Sequence, residues 1–463
     1  MPISRFIEVW PGETVYIFSD VPSTSISNEI GLKKFQRIPV TTVIPSWKNA
    51  AVGEYYDALK PLNCQEVGDI TVLKIPISVA ESCIEFTATN GDQYHLVIKK
   101  EFFIPKNRLF PIYAEIAGAQ ILDAYAKANK ITGDFIYAFQ GPQTLKAITL
   151  AREFGIEPVK QSIHWFHECQ EPYPFDIDGD FCYENLVLQN NIAPPVVFCN
   201  AKPDGDCSYA PHHHFLQEVN KIAPPGTIAW CADEPYDPSL PTNTNGVPIP
   251  EAIKRIRYVN EHAPKLKCAV TGSLEIIEKI KKLIGDEIDI LGIVEQTTDD
   301  GLQAWPQKGS YFACTAQGNC KNAPSPDWVN DRTSYPVAVI EGDPVTDFQE
   351  SIKLAYKNNA SFVMYYSITK KLASCWEKGG MYDEGGNGDG TAMYYDPENG
   401  DPWPSVRMMH WHIAQQEIEK SIVIKNHLID HDESELLDAF ERGELKSVAT
   451  KGALALLNFR VRF

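Results

Sequence analysis

The sequence predicts an α/β protein: a (β/α)8 TIM-like barrel with an N-terminal β-sandwich domain and a short C-terminal appendage. Three observations predict it. Beyond Pro105, eight apolar, β-compatible runs alternate with stretches of helical period, the pattern of a parallel barrel. Before Pro105 the apolar runs are β-branched or alternating, and no helical period of useful length occurs. One run, Thr227–Ala232, passes directly into Asp233-Glu234-Pro235, so an apolar strand ends in two adjacent carboxylates. The expected divisions are a sandwich over 1–105, a barrel over 106–425 and an appendage over 426–463.

In the first region the strand candidates are Thr14–Phe18, Ile38–Ile44, Ile70–Ile77, Cys83–Ala88 and Tyr94–Ile98. Asn90-Gly91 between the last two is a hairpin signal, because glycine supplies the positive φ that a tight turn needs. The eight barrel strands are read at Phe110–Ile116, Pro158–Ile163, Pro195–Cys199, Thr227–Ala232, Leu266–Thr271, Ile288–Ile293, Ser310–Thr315 and Ser361–Tyr366. Helices are read between them at Ala117–Asn129, Pro142–Phe154, His214–Ile222, Pro250–His262, Ser273–Ile284 and Asp347–Asn358. Ser273 before Glu275, and Asp343-Pro344 before Thr346, mark helix starts. An acidic amphipathic helix, Glu433–Arg442, opens the final stretch, which reads as a structural appendage returning to the sandwich or barrel.

Composition narrows the function classes. A chain of 463 residues with 44% hydrophobic residues is globular and has ample material for a core. Its net charge of -19 argues against a nucleic-acid partner and against an anionic membrane surface. No apolar run approaches the roughly 20 residues of a membrane span. The first residues show no charged-then-apolar leader, so a secretory signal is either absent or already removed.

Eleven cysteines leave at least one thiol unpaired in a monomer, and none shows the C-x-x-C spacing of a zinc or redox motif. Cys199, Cys231 and Cys268 lie in apolar runs and read as small buried hydrophobes. Cys169 with Cys182, or Cys314 with Cys320, could bridge within loops.

No cofactor and no metal is expected. Three consecutive side chains, His212-His-His214, cannot converge as the i, i+4 pair of a zinc helix does. Asp383-Glu384 lies among glycines without EF-hand spacing. Neither a phosphate-binding Gly-x-x-x-x-Gly-Lys loop nor a Gly-x-Ser-x-Gly elbow occurs.

Under the barrel register Asp233 and Glu234 close the fourth strand, at the rim where barrels present catalytic groups. Two carboxylates there suit glycoside hydrolysis, one protonating the leaving oxygen and the other handling the cationic sugar. The other predicted rim segments are aromatic and polar: His164-Trp165 after strand 2, Asn200 after strand 3, Glu295 and then Trp305 after strand 6, and Trp376 after strand 8. Tyr311 lies in strand 7, and Tyr365 and Tyr366 in strand 8. Aromatic faces stack on sugar rings while amides and carboxylates bond their hydroxyls, so the expected partner is a glycan.

Leu109-Phe-Pro-Ile-Tyr-Ala-Glu115, Phe154-Gly-Ile-Glu-Pro158, Asp233-Glu-Pro235, Gly388-Asp-Gly-Thr391 and Pro404-Ser-Val-Arg407 occur in this order. Together they resemble glycoside hydrolase family 123, over about residues 105 to 425. The chain departs from that pattern after Arg407, where Met408-Met-His-Trp-His-Ile-Ala-Gln415 replaces an acidic run.

The resemblance implies a β-N-acetylgalactosaminidase with an N-terminal β-sandwich and a catalytic barrel, and a periplasmic or extracellular setting. It also implies substrate-assisted retention, in which the sugar's own 2-acetamido oxygen attacks the anomeric carbon. Asp233 would then orient the acetamido group, Glu234 would act as general acid and later base, and a tyrosine among Tyr366, Tyr365 and Tyr311 would stabilise the acetamido oxygen. Trp376 and Trp305 are the candidates for stacking. Because adjacent strand residues point opposite ways, a pair serving one substrate needs a distortion at the strand end, for which Pro235 is a candidate cause. Two other classes stay open: a two-carboxylate glycosidase with Glu234 as acid and Glu295 as nucleophile, and a non-catalytic glycan-binding or structural barrel protein.

Overall fold

Each of the eight apolar runs read beyond Pro105 contributes a strand to one parallel sheet. They are β8 (Ile112–Glu115), β9 (Ile156–Val159), β10 (Val196–Phe198), β11 (Ile228–Asp233), β12 (Lys267–Gly272), β13 (Ile290–Val294), β14 (Ser310–Thr315) and β15 (Phe362–Tyr365). The structure is a computed structural model. It describes residues 3–47, 50–116, 118–131, 140–159, 196–198, 220–221, 228–239, 247–294, 310–315, 336, 338–357, 360–365, 367–383 and 386–441.

The chain forms two compact units: one of Met1–Pro39, Tyr56–Phe110 and His412–Phe463, the other of Val40–Tyr55 and Pro111–Trp411.

In the second unit the strand order is β10-β11-β12-β13-β14-β15-β8-β9. This is the cyclic order of an eight-stranded α/β sheet, since the last strand in sequence pairs in parallel with the first through Val363↔Ile112 and Met364↔Tyr113. Strands buried on both faces read as continuous apolar runs, and this is why they stood out in the sequence. One start is earlier than expected. Gly155, at φ +74, ends the preceding helix, and the strand begins at once at Ile156 instead of Pro158. Pro158 lies opposite Ala114, and β8 is the one neighbour found for β9 among the described residues. The missing N–H of proline is tolerated where no second strand needs it.

The connecting helices include α1 (Gly118–Asn129), α2 (Gln140–Glu153), α3 (Ile249–His262), α4 (Leu274–Ile284) and α5 (Glu350–Lys357). Ser273 sits at the N-cap of α4 in extended geometry, without a side-chain cap bond. A six-residue π-helix, Pro344–Gln349, precedes α5 and is capped by Asp343, whose carboxylate accepts from the N–H groups of Val345 and Thr346. Of the expected helix over 214–222, only residues 220–221 are described. Cys231 and Cys268 are buried thiols in β11 and β12, as small hydrophobes, while Cys64 and Cys83 are exposed free thiols. Cys169, Cys182, Cys199 and Cys320 lie outside the described residues.

The first unit is built on two sheets. One has the order β1 (Ser4–Val9), β7 (Gln93–Ile98), β6 (Cys83–Thr87); the other β2 (Thr14–Ile17), β5 (Ile70–Lys74), β3 (Gly31–Thr42), β4 (Gly53–Leu62). Both contribute to one core, with Val15, Ile17, Leu73 and Ile75 meeting Ile84, Phe86, Leu96 and Ile98. The Asn90-Gly91 turn forms as expected, with Gly91 at φ +87. Strand β1 pairs in parallel with β7, and the sequence reading missed it because Ser4–Phe6 are all exposed and no alternation signals a buried face.

The largest departure from expectation is α6 (Val406–Asp430), a 25-residue helix that the sequence reading left unassigned, including the segment that departs from the family pattern. It lacks an apolar stripe because many of its buried positions are polar: Arg407, His410, His412, Gln415, Gln416, Glu419, Lys420 and Ser421. The final described helix, α7 (Ser434–Glu441), places Leu436 in a cluster with Trp10, Ile104, Ile424 and Leu428.

Within the first unit, Gln416 of α6 accepts from Thr14 N at 2.7 Å and donates to Thr14 O at 3.0 Å. Glu419 accepts from Leu109 N at 2.9 Å and from the Arg108 guanidinium at 3.2 Å. His412 lies between the Tyr16 hydroxyl at 2.6 Å and the Arg108 guanidinium at 3.2 Å. Since arginine only donates, Nε2 of His412 accepts and Nδ1 carries the proton toward Tyr16. Burial, reinforced by the Arg108 and Lys74 cations, holds His412 well below the usual histidine range.

The native state therefore refuses a proton that the unfolded chain accepts below about pH 6.5. Stability of this unit is expected to fall as pH drops from 6.5, by up to about 1.4 kcal/mol per pH unit from this residue. Urea midpoints between pH 5 and 8 check this, and His412→Gln is expected to flatten the dependence.

Candidate active site

Strand β11 ends in a distortion. Trp230 lies opposite Ala269 but Ala232 opposite Val270, so Cys231 is an extra residue in a β-bulge. Asp233 then lies opposite Thr271 as the last residue of the strand, placed by its backbone. Glu234 follows with φ +40, the left-handed region that side-chain-bearing residues rarely adopt, and its side chain is exposed. Pro235 has no N–H to continue a ladder, and it is buried beside Gly272, where an added Cβ would lie 3.6 Å from its Cδ. Such backbone conformations store about 1–3 kcal/mol and persist only when their surroundings hold them.

The holding contacts are local. Tyr236 N donates to Val247 O and Tyr236 O accepts from Ile249 N, both at 2.9 Å. Asp237 is buried and accepts from Ser239 N at 2.9 Å and Ser239 Oγ at 2.7 Å. It also pairs with the Lys279 ammonium of α4. The Lys279 hydrogen bond and those from Ser239 hold the Asp237 carboxyl down at about 2, so this anchor stays ionised in any mildly acidic or neutral solution.

Two further carboxyls were missed in the sequence reading. Glu115, the last residue of β8, is buried at a strand end just as β11 ends in acid, a signal available from the strand boundary. Glu341 accepts from Ser46 Oγ at 2.8 Å and from Asn387 Nδ2 at 2.5 Å, and burial pushes its carboxyl above the usual range. These partners are remote in sequence, so no local pattern could announce them. Among the described residues no group of three or more His, Cys, Asp or Glu is placed to hold a metal.

Of the tyrosines, Tyr365 requires a correction. It is fully buried, with its hydroxyl 3.2 Å from Gly388 O and 3.1 Å from Gly390 N and its ring 4.9 Å from that of Trp411. Holding the glycine-rich loop uses the hydroxyl that a substrate would need. Tyr311 is the second residue of β14, about 13 Å before the strand's carboxyl end at Thr315, and so below the rim. Tyr366 directly follows β15 but lies outside the described residues, as do His164, Trp165, Asn200, Glu295 and Trp305.

Trp376 is half-buried, donates from Nε1 to Tyr395 O at 2.7 Å and packs with Tyr394, Tyr395 and Trp403. Asp383 is tied to Lys370 at 2.6 Å and to Lys371 at 3.6 Å. Arg407 is fully buried, and its guanidinium donates to the carbonyls of Ala338, Gly388 and Thr391. The glycine-rich tail is thus pinned by a buried cation, and a Cβ at Gly388 would lie 2.8 Å from that guanidinium.

Comparison with solved structures gives a likeness of fold. A family 123 glycoside hydrolase from Clostridium perfringens, described for glycolipid glycan hydrolysis, aligns with 93% of this chain and 86% of its own, at TM-score 0.60 and 13% identity. The GH53 catalytic domain of Ignisphaera aggregans aligns with 66% of this chain and 97% of its own, at TM-score 0.34 and 12% identity. A GH10 xylanase of Thermobacillus composti covers the same shares at TM-score 0.31 and 9% identity. No family model and no curated protein matches the sequence. The chain thus shares its fold with the Clostridium perfringens structure.

Glu234→Gly is expected to raise stability by about 1 kcal/mol, since glycine adopts positive φ without a Cβ penalty. Glu234→Gln, which keeps the Cβ, is expected to leave the melting temperature near the parent value. Thermal unfolding of the three proteins side by side checks both.

Proposed function

We propose that the protein is a retaining, exo-acting glycoside hydrolase that removes terminal β-N-acetylgalactosamine by a substrate-assisted route, with Asp233 and Glu234 as its working pair and a closed (β/α)8 barrel carrying them. The observation that supports it most is the strained, exposed Glu234 at φ +40, immediately past a bulged parallel strand ending in Asp233. Strain at a strand end is a mark of functional placement. The likeness to a family 123 enzyme fold lends weight to this choice over other carboxylate chemistry.

In this reading the acetamido oxygen forms a bond to the anomeric carbon as the bond to the leaving oxygen breaks, and Glu234 donates its proton to that oxygen. Asp233 accepts from the acetamido N–H and offsets the positive charge that develops on the oxazolinium. Water then attacks the anomeric carbon from the face the aglycone left, giving its proton to the Glu234 carboxylate. The acetamido group is restored and configuration is retained. Tyr366, next after β15, is the remaining candidate for the hydroxyl that donates to the acetamido oxygen. Trp376, Trp305, Trp165, His164 and Asn200 are the candidate sugar contacts, and no cofactor takes part. The glycolipid glycans hydrolysed by the Clostridium perfringens protein make a glycolipid head group the second substrate to assay.

A panel of nitrophenyl glycosides tests the reading. Turnover is expected on the β-N-acetylgalactosaminide and not on the β-galactoside lacking the acetamido group, and a thiazoline analogue should inhibit it. Glu234→Gln should lower kcat by about 10²–10⁴. Cleavage of sugars without an acetamido group, abolished by Glu295→Gln, would replace this mechanism with the two-carboxylate one. Sugar binding without hydrolysis, unchanged in Asp233→Asn and Glu234→Gln, would leave a glycan-binding barrel.

A further inference from the structure

Helix α6 ends in a closed cap. Glu433 N donates to Leu428 O at 2.9 Å and Asp432 N to Ile429 O at 3.1 Å, with Asp432 at φ +56, so the final turn is fixed by its own backbone. His427 and His431 lie on that turn. The His431 N–H donates to His427 O at 3.1 Å, so the two keep the helical i, i+4 relation and share one face. Their ring centroids are 4.0 Å apart and their planes 34° from parallel. His431 Nδ1 is also 2.8 Å from His427 O. A carbonyl only accepts, so Nδ1 carries the proton and the neutral ring keeps its lone pair on Nε2. His427 is braced from the side: the Phe102 ring meets it edge-on at 5.2 Å and is itself stacked on Trp10 at 5.1 Å. Both aromatics belong to the apolar cluster of Ile424, Leu428 and Leu436. His427 is half-buried and His431 exposed. Among the described residues no group hydrogen-bonds to the ring nitrogens of His427 or to Nε2 of His431.

We propose that His427 and His431 form a site for a transition-metal dication of the zinc, nickel and copper class. Two histidines at i, i+4 on a helix offer a bidentate pair of imidazole nitrogens. Zinc–nitrogen bonds of about 2.0–2.1 Å at a tetrahedral angle place two ligand nitrogens about 3.3 Å apart, a separation close to the observed ring spacing. The bond from His431 Nδ1 to a backbone carbonyl is the outer partner by which metal-ligating histidines fix their tautomer and orientation. Since the cap already holds the turn and Phe102 already holds one ring, chelation has little left to order.

Ligand chemistry selects the class. Imidazole nitrogen suits zinc, nickel and copper, whereas calcium and magnesium take oxygen shells. The C-terminal end of a helix is the negative end of its dipole, and Asp430 and Asp432 are exposed beside the pair, so a cation is favoured here and an anion repelled. The nearby Lys425 is paired with Glu441 at 2.7 Å. Among the described residues no third His, Cys, Asp or Glu joins the two, so water completes the shell and the site is a reversible chelate, unlike a closed four-ligand zinc core. The sequence reading weighed only His212-His-His214 as a metal candidate, because i, i+4 spacing carries meaning only in a segment known to be helical. The pair lies within the first unit and is independent of the proposed hydrolysis.

The test measures Zn²⁺ and Cu²⁺ binding by the full-length protein, stripped with EDTA and then freed of it, beside His427→Gln, His431→Gln and, as a histidine at another helix end, His262→Gln. Equilibrium dialysis at neutral pH is expected to show one Zn²⁺ equivalent whose affinity falls in both His427→Gln and His431→Gln and is unchanged in His262→Gln. Changes to the outer partners of a metal site cost about 10–100-fold, and loss of a ligand costs no less, so the expected fall is at least tenfold. Saturating Zn²⁺ should raise the melting temperature of the parent more than that of either variant, since the metal binds the formed helix and not the unfolded chain. With EDTA present, the exposed His431→Gln should melt with the parent. Electron paramagnetic resonance of bound Cu²⁺ should lose a two-nitrogen signal in both variants. Zn²⁺ binding unchanged in either variant, an equal loss in His262→Gln, or a stabilisation that Mg²⁺ or Ca²⁺ reproduces would overturn the proposal. Hydrolysis enters none of these readings.

Discussion

The pleat of a β-strand sends neighbouring side chains to opposite faces, and two adjacent acids can share a task only where that alternation is broken. The end of β11 breaks it three times within five residues. Cys231 is an inserted bulge residue, Glu234 turns into the left-handed region, and Pro235 denies the ladder another donor. The bonds of Tyr236 to Val247 and Ile249, and of Asp237 to Ser239 and Lys279, are the local compensation that lets a strained acid persist. The low carboxyl of Asp237 keeps that compensation in place in mildly acidic and neutral solution.

A second theme is interior polarity. Helix α6 buries its polar groups in hydrogen bonds: Gln416 satisfies both backbone groups of Thr14, and Glu419 receives the Leu109 N–H and Arg108. Arg407 likewise donates to three carbonyls, those of Ala338, Gly388 and Thr391. Removing one partner from such a set leaves buried groups unpaired, a larger loss than the bond itself contributes. This also recasts the motifs that carry the family resemblance. Gly388 and Arg407 belong to the packing of the fold, since the glycine must lack a side chain for the guanidinium to approach. Short motifs of this kind are compatible with the 13% identity found alongside a shared fold.

The sequence by itself determined the eight parallel strands, because strands covered on both faces must be apolar throughout and such runs are visible without any partner. It likewise placed the Asp343 cap, the Asn90-Gly91 turn and the end of β11 at Asp233, all of which depend on residues within a few positions of one another. Tertiary structure decided the rest. Helix α6 was invisible because its buried face is satisfied by hydrogen bonds to distant residues instead of by apolar contact. Tyr365 could not be told from a substrate-facing tyrosine until Gly388 and Gly390 were seen to hold its hydroxyl. The bulge at Cys231 depends on the register of β12, a strand nearly forty positions away, and a one-residue slip between two strands leaves no trace in the composition of either.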